Sequence, residues 1–400
     1  MKFGVNYTPS QNWFHFWLDF DADQVARDLD TLAELGIDHI RIFPLWPIIQ
    51  PNRTLIRQAA LDDIHRVVVL AHERGLETYV DALQGHLSSF DFLPAWVTSW
   101  HRANLFTDPK VVSGQVALVK KLAEMLRDTP GAAGLSLGNE FIQFAASRHP
   151  FRHEVAPAHA DRWLETLLQI AKQAWPAGTH VHTHDDDLWF EPTQPFTPAM
   201  ATGRGDATTV HSWVFGRIGP RFGKDSDALP WFARYLCELA AAYGAPARPI
   251  WLQEIGAPLN YVSAERAADF LTATIARLTG SAGGGLSPNV RAITWWCSHD
   301  VSRSLTDFPE VEYSLGLIDS AGQVKPIGRA FAAAIADYED VAPADSPRST
   351  LRLEVNNQTR NLADAHHEFF DQWLARAQSG DVARIEIAEI ASNIDASKEK

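Results

Sequence analysis

Short apolar runs alternate with longer amphipathic stretches along most of the chain. Eight of the runs have the length of strands and are rich in β-branched and aromatic residues: 3-7, 37-43, 76-81, 133-137, 180-183, 207-210, 250-253 and 290-296. The helical period appears between and after them, at 22-35, 58-74, 111-127, 160-174, 229-243, 264-278 and 326-338. Glycines follow several of these stretches where a helix should end, as at Gly36 and Gly75. This alternation predicts βα units and a parallel sheet.

Two architectures fit eight strands alternating with helices, an open doubly wound sheet and a closed barrel. No GxGxxG or Walker sequence follows any of the strands, which disfavours the open nucleotide-binding sheet. The pattern therefore predicts an α/β fold of the (β/α)8 barrel type over residues 1-340, in which the carboxyl ends of the strands carry the chemistry.

The chain beyond residue 341 has a different pattern. A Pro-, Ser- and Asp-rich stretch at 342-349 predicts a linker, and it is followed by a strand, a helix and a second strand at 351-355, 362-377 and 383-390. This piece is too small for a core of its own. We expect the extension, residues 341-400, to pack on the barrel or, through Phe369, Phe370 and Trp373, on a neighbouring subunit as a homo-oligomer.

Composition and charge narrow the class of protein. A net charge of -14 argues against nucleic acid as a partner. No run approaches the roughly 20 apolar residues that cross a bilayer, and the chain enters a strand at once without a leader, which predicts a cytoplasmic protein. The 14 tryptophans exceed the roughly five expected by average composition. About half should lie in the core, and the others suggest flat faces that bind sugars.

Two glutamates follow strands on opposite sides of the predicted barrel. Glu140 ends the fourth strand and Glu254 the seventh, so their carboxylates can meet over its mouth. A glutamate in either place can also cap a helix or pair with an arginine, but Asn139 adds an amide that can bind a sugar 2-hydroxyl. Hydrolysis of a glycosidic bond uses such a pair, and a separation of about 5-5.5 Å retains configuration. We therefore predict a retaining glycoside hydrolase with Glu140 as acid/base and Glu254 as nucleophile.

The residues at the strand ends also resemble a known family. Glycoside hydrolase family 5 of clan A is similar in the segments Ile40-Arg41-Ile42, Gly85-His86, Gly138-Asn139-Glu140, His211-Ser212-Trp213, Trp251-Leu252-Gln253-Glu254 and Trp295-Trp296. The resemblance implies that Arg41 keeps the nucleophile ionised, that His86 and His211 line the catalytic subsite, and that Trp296 or Trp295 forms its floor. We expect Glu254 to raise the pKa of Glu140, so that Glu140 enters the reaction protonated.

One position departs from the family pattern. The family usually has a tyrosine two residues after the histidine of strand six, where this chain has Trp213. Tryptophan donates only through its indole nitrogen. We expect the tyrosine contact to the nucleophile to be absent or to come from Tyr261 or Tyr7.

Longer segments resemble the subfamily of family 5 that contains bacterial β-mannosidases, some of which cut mannose-β-1,4-N-acetylglucosamine. They are 4-10, 43-47 and 83-91. The resemblance implies an exo-acting pocket for small oligosaccharides, walled by the loops after strands one, three and six, and no cofactor. An endo-β-1,4-mannanase or a β-glucosidase would use the same carboxylate pair.

Two rival classes of protein remain at this point. His182 and His184, followed by three aspartates, have the spacing of zinc ligands in a metal-dependent barrel hydrolase. Such barrels place this pair on the first strand, so a role in sugar contact or structure is favoured for His184 and Asp185, with no metal. A carbohydrate-binding protein without catalysis is disfavoured because both glutamates are present.

Overall fold

Eight parallel strands form the central sheet. The computed structural model describes residues 1–100, 103–280, 289–338 and 348–389. The strands are β1 Lys2–Asn6, β2 His39–Ile42, β3 Glu77–Asp81, β4 Ala132–Ser136, β5 Thr179–Val181, β6 Thr208–Ser212, β7 Ile250–Ile255 and β8 Val290–Trp295. They pair in the order β5-β4-β3-β2-β1-β8-β7-β6, so strands adjacent in the chain are adjacent in space.

The ring closes between β5 and β6. There the backbone N–H of Asp206 donates to the carbonyl of His180 over 2.9 Å. The hydroxyl of Thr209 donates to the carbonyl of His182 over 2.7 Å. The predicted (β/α)8 barrel is confirmed. Residues of β2, β6 and β7 are buried throughout, as in a parallel sheet covered by helices.

Seven long helices surround the strands where the sequence predicts them. They are α1 Ala22–Glu34, α2 Gln58–His72, α3 Pro109–Arg127, α4 Pro157–Ala174, α5 Phe232–Tyr243, α6 Ala267–Thr279 and α7 Pro326–Tyr338. No predicted helix or strand end of the barrel is displaced by more than three residues. Asp21 and Asp108 fix two of the starts, because their carboxylates accept backbone N–H bonds of the first turns of α1 and α3.

The position after β5 has only two short helices, Asp187–Phe190 and Pro198–Gly203. The C-terminal extension packs beside them and against α5. Its strands β9 Thr350–Val355 and β10 Arg384–Glu389 pair in parallel, and α8 Glu368–Gln378 lies between them in the chain. The predicted linker falls largely on residues 342–347, outside the described residues.

The apolar side of α8 is covered by the barrel of the same chain. Phe370 and Trp373 are buried and contact the ring of Tyr235 on α5 at centroid distances of 4.8 and 5.1 Å. The hydroxyl of Tyr235 donates to the carbonyl of Ala363 over 2.5 Å. Phe370 and Trp373, which the expected subunit contact relied on, are therefore buried within the same chain. In the described part of the chain, no helix combines the length and apolar character of a membrane span.

Close approach of β4 and β5 requires glycine at position 134. A Cβ atom there would lie 1.8 Å from the carbonyl oxygen of Thr179. We expect Gly134→Ala to destabilise the protein by about 3 kcal/mol, because the two strands must move apart. Gly203→Ala is the matched control, since a Cβ at Gly203 meets nothing within 4 Å. Urea denaturation of both variants measures the difference, and equal stability losses would contradict this account of the strand contact.

Candidate active site

An open cavity of about 930 Å³ lies at the carboxyl ends of the strands. Its walls come from loops after six strands, β3 to β8, and include both predicted carboxylates together with His86, Asn139, Trp213 and Trp296. The structure thus brings together six of the ten predicted site residues along one surface. Arg41 and His211 lie directly behind that surface, fully buried.

Arg41 is the centre of the hydrogen-bond network beneath the cavity. Its guanidinium donates to side chains from five other strands or the loops that follow them: Asn6, Asp81, Asn139, Thr183 and Glu254. The pair with Asp81 is bidentate, at 2.7 and 3.0 Å, and the bond to Glu254 Oε1 is 3.0 Å. A buried guanidinium is stable only when its donors are paired in this way.

The two carboxylates meet on the same imidazole. Nδ1 of His211 lies 2.7 Å from Glu140 Oε1 and 3.2 Å from Glu254 Oε2. These three residues present ligand atoms within 4.8 Å of one another. That separation is close to the roughly 5-5.5 Å of retaining glycosidases and well below the roughly 6.5-9.5 Å of inverting ones.

Backbone strain helps to aim Glu140 into the cavity. Glu140 has left-handed dihedrals, φ 40° and ψ 36°, immediately before the helical turn Phe141–Ala145. Such a conformation costs on the order of 1-3 kcal/mol in a non-glycine residue and is often found at functional sites. Gly138 precedes it with φ +152°, and a Cβ there would lie 2.4 Å from the carbonyl oxygen of Leu83.

The pKa shifts of the two carboxyl groups run in the directions opposite to those expected. Burial raises the pKa of Glu254, and the opposing charges of His211 and Arg41 do not restore it because Glu140 raises it further. Burial also acts on Glu140, but the hydrogen bond and charge of His211 outweigh it and lower the pKa of Glu140. The prediction was wrong because His211 lies closer to Glu140 and Arg41 divides its donors among several partners.

Trp213 supplies the contact for which a tyrosine was expected. Its indole N–H donates to Glu254 Oε2 over 3.2 Å. Of the two expected alternatives, an absent tyrosine contact or one from Tyr7 or Tyr261, the structure excludes the second: the hydroxyl of Tyr7 donates to Asp28 over 2.9 Å, and neither tyrosine lines the cavity. Glu254 therefore has Arg41 on one oxygen and Trp213 on the other.

Only the second of the two adjacent tryptophans reaches the cavity. Trp296 lines it, whereas Trp295 packs against Phe331 of α7 and donates its indole N–H to the carbonyl of Leu315 over 3.1 Å. Successive residues of an extended chain point to opposite sides, so the two rings cannot share a face. The assignment of Trp295 to sugar binding is therefore wrong.

His182 and His184 lie below the cavity and do not line it. Their Nδ1 atoms are 2.9 Å apart, so one ring donates a hydrogen bond to the other. Burial lowers the pKa of His182 to about 3 and that of His184 in the same direction. Within the described residues, no cluster with the spacing of metal ligands includes either histidine. The predicted sugar contact of His184 is wrong, and the metal-hydrolase alternative loses its proposed ligands.

Several polar residues of the cavity were not found from the sequence, among them Gln143, Arg148 and Glu312. Glu312 belongs to the turn Glu310–Ser314 after β8, where nothing in the sequence distinguishes it from a surface charge. It is buried and accepts the indole N–H of Trp296 over 3.3 Å. Burial raises its pKa to about 7, and the charges of Glu254 and Glu140 act in the same direction.

Comparison with known proteins identifies relatives among solved structures. No family model and no curated protein sequence matches the chain. A GH5_18 enzyme of Streptomyces cattleya is 47% identical, with a TM-score of 0.93 over 97% of this chain and 94% of that chain. A GH5_18 enzyme of Bifidobacterium longum subsp. longum is 42% identical, with a TM-score of 0.92 over 97% and 92% of the two chains.

A more distant structure has the same fold. An exo-beta-1,4-mannosidase of Opitutaceae bacterium strain TAV5 is 21% identical, with a TM-score of 0.75 over 97% of this chain and 69% of that chain. The barrel and its carboxylate pair, together with these relatives, define the protein as a glycoside hydrolase. Within that class, the chain belongs to GH5_18, subfamily 18 of glycoside hydrolase family 5. The resemblance found in the sequence is confirmed.

Glu312 makes stability depend on pH in a definite direction. Its pKa is about 7 in the folded protein against 4.5 for the free side chain, so the folded state holds a proton that the unfolded state releases between these values. Stability from this group is therefore full below about pH 4.5 and falls as pH rises towards 7, by about 3 kcal/mol at most. Glu312→Gln should lose less stability than the wild type between pH 5 and pH 8 in thermal unfolding.

Glu310→Gln is the matched control on the same turn. Its side chain is 76% exposed and pairs with Arg303. This variant should follow the wild type across the pH range. If the Glu312 and Glu310 variants showed the same pH dependence, a buried proton on Glu312 would be ruled out.

Proposed function

We propose that this enzyme is a retaining exo-β-mannosidase that hydrolyses the β-1,4-mannosidic bond of mannose-β-1,4-N-acetylglucosamine and similar small saccharides. The observation that carries the proposal is the approach of Glu140 and Glu254, within 4.8 Å, at the mouth of the barrel. Glutamate-to-alanine variants of the Streptomyces cattleya and Bifidobacterium longum enzymes, 47% and 41% identical to this chain, have been crystallised with this disaccharide. Their likeness to this chain supports the same substrate class.

In the proposed mechanism Glu254 is the nucleophile. Arg41 and Trp213 hold its two oxygens, which leaves a lone pair directed into the cavity. Glu254 bonds to the anomeric carbon while Glu140 gives its proton to the glycosidic oxygen, and the reducing-end sugar leaves. Glu140 then takes a proton from water as that water attacks the same carbon, and Glu254 leaves as a carboxylate. Two inversions at one carbon retain the β configuration.

The first step needs a proton on Glu140, whereas in the free enzyme the pKa of Glu140 is lowered and that of Glu254 is raised. His211 contacts both, through one nitrogen. We propose that Nδ1–H passes its proton to Glu140 and takes the proton of Glu254 in exchange. Positive charge developing at the anomeric carbon favours this exchange, because it stabilises an ionised Glu254.

The walls of the cavity support exo action. Trp13, in the loop after β1, packs within 6.0 Å of Trp296, which we propose as the floor under the mannose. Rings from the loops after β1, β3 and β8 form one cluster: Phe14, Phe90 and Phe308 have mutual centroid distances of 5.0 to 5.7 Å. We propose that this cluster closes the mannose end of the cavity. Of the loops expected to form its walls, those after β3 and β6 line the cavity, the latter through Trp213 and Phe215.

The other predicted ligand residues keep their proposed roles. Asn139 is oriented by Arg41, which donates to its Oδ1 over 2.8 Å, while its amide nitrogen donates one hydrogen to the carbonyl of His86 over 3.4 Å. We propose that the second amide hydrogen binds the sugar 2-hydroxyl. His86 lines the cavity and pairs with Asp91 over 3.1 Å.

Endo-β-1,4-mannanase and β-glucosidase activities would use the same carboxylates. Rates on 4-nitrophenyl β-mannoside, 4-nitrophenyl β-glucoside, the disaccharide and a mannan polymer separate these activities.

Replacement of each glutamate tests its role. We expect Glu254→Ala to lower kcat by about 10⁴-fold, because the covalent route is lost. Added azide should restore turnover of an aryl β-mannoside with formation of the α-mannosyl azide, since azide attacks directly. Glu140→Ala should form the β-mannosyl azide, because azide then replaces water in the second step. Product anomers are read by NMR.

Glu34→Ala, on the exposed end of α1, serves as the control and should behave as the wild type. The assignment fails if Glu254→Ala retains near-normal activity, or if both active-site variants release the same azide anomer.

A further inference from the structure

A chain of ion pairs joins the C-terminal extension to the cavity wall. Asp364 of the extension binds Arg217, which donates to Asp187 Oδ1 over 3.1 Å. The same oxygen accepts a bond from Arg148 over 2.9 Å, and Arg148 donates to Asp185 over 2.7 Å. We call these five residues the ion-pair chain.

The last members of the ion-pair chain lie on the cavity surface beside Glu140. Arg148 and Asp185 line the cavity, and both also bond to Gln143. Gln143 belongs to the helical turn that Glu140 precedes. Since Glu140 is the group that protonates the leaving oxygen, this wall faces the leaving sugar.

We propose that the C-terminal extension is a positioning element for the subsite of the leaving sugar, with Asp364 holding Arg148 and Gln143 in place through Arg217 and Asp187. The inference rests on the proposed β-mannosidase function and extends it. Asp364 and Arg217 do not touch the substrate themselves. Their role is to fix the loop after β5, which has only short helices to support it.

The balance of charge makes the arrangement depend on Asp364. The loop supplies Asp185, Asp186, Asp187 and Glu191. Arg148 pairs with this loop alone, whereas Arg217 is shared between the loop and Asp364 of the extension. With Asp364 gone, Arg217 is drawn towards the loop carboxylates and competes with Arg148 for Asp187. Arg217 and Asp364 are shielded from solvent, with side-chain exposures of 11% and 9%, so their pairing is not screened as on a surface. Arg148, at the cavity, is 57% exposed.

The pKa directions agree with this picture. Arg217 and the bonds from His366 lower the pKa of Asp364 against the effect of its burial. Burial raises the pKa of Asp187 to about 6, with Asp186 adding to the shift, although both arginines oppose it. Asp364 is therefore the firmly charged partner of Arg217.

The experiment compares two substrates that differ in their leaving group. We expect Asp364→Asn to lower kcat/KM for mannose-β-1,4-N-acetylglucosamine by about threefold to tenfold, the effect of one misplaced hydrogen bond, mainly through KM. Hydrolysis of 4-nitrophenyl β-mannoside should change by less than about twofold, because its aryl group makes little use of the sugar subsite. Asp364→Glu should restore activity on the disaccharide.

The matched control is Asp371→Asn. Asp371 also joins the extension to the barrel, through Arg221 over 2.7 Å, but lies outside the ion-pair chain. It should leave both rates unchanged. Arg148→Gln should show the same substrate-selective loss as Asp364→Asn, and the double variant should add little to either, since coupled residues are non-additive.

Equal losses on both substrates, or the same effect from Asp371→Asn, would overturn the inference and indicate general destabilisation. If Asp364→Asn does not fold, Arg217→Lys carries the same test, because lysine keeps the charge but lacks the fork that joins two carboxylates. Failure of the wild type to hydrolyse either mannoside would instead contradict the proposed function.

Discussion

The buried guanidinium of Arg41 is the constraint on which the site depends. Arg41 lies on β2, and its guanidinium donates to side chains from five other strands or the loops that follow them. A charge in that position is tolerated only because Asp81 and the surrounding oxygens satisfy it. The same bonds fix Asn139 and Glu254, so the stability of the barrel mouth and the aim of the active site have one physical origin.

The cavity has more carboxylates than cations. Its lining residues include Glu140, Glu254 and Glu312 and the aspartates after β5, whereas Arg148 is the one arginine or lysine that lines it within the described part of the chain. Such a surface repels anionic ligands and suits an uncharged saccharide bound through hydroxyl groups and ring faces. Burial, together with the proximity of the acids, raises the pKa of Glu254 and of Glu312.

The sequence was enough to predict the barrel, because each strand and helix has its own period and its own end signals, such as Asp21 and Asp108 before α1 and α3. The carboxylate pair was also predictable, since strand number alone places Glu140 opposite Glu254. The sequence did not reveal the direction of individual side chains, so Trp295 and His184 were assigned to the wrong surface. The directions of the two pKa shifts depend on His211, which lies 2.7 Å from Glu140 and 3.2 Å from Glu254. The burial of Glu312 depends on the fold of an irregular turn. Neither feature leaves a pattern in the sequence.

The most direct test of the account is the anomeric form of the first product. When the enzyme cleaves mannose-β-1,4-N-acetylglucosamine in D2O, NMR spectra taken before mutarotation should show β-mannose, because Arg41 and Trp213 hold Glu254 close enough to attack the sugar itself. Initial release of α-mannose would show that water attacks in a single step. That result would contradict the arrangement of the two glutamates described above.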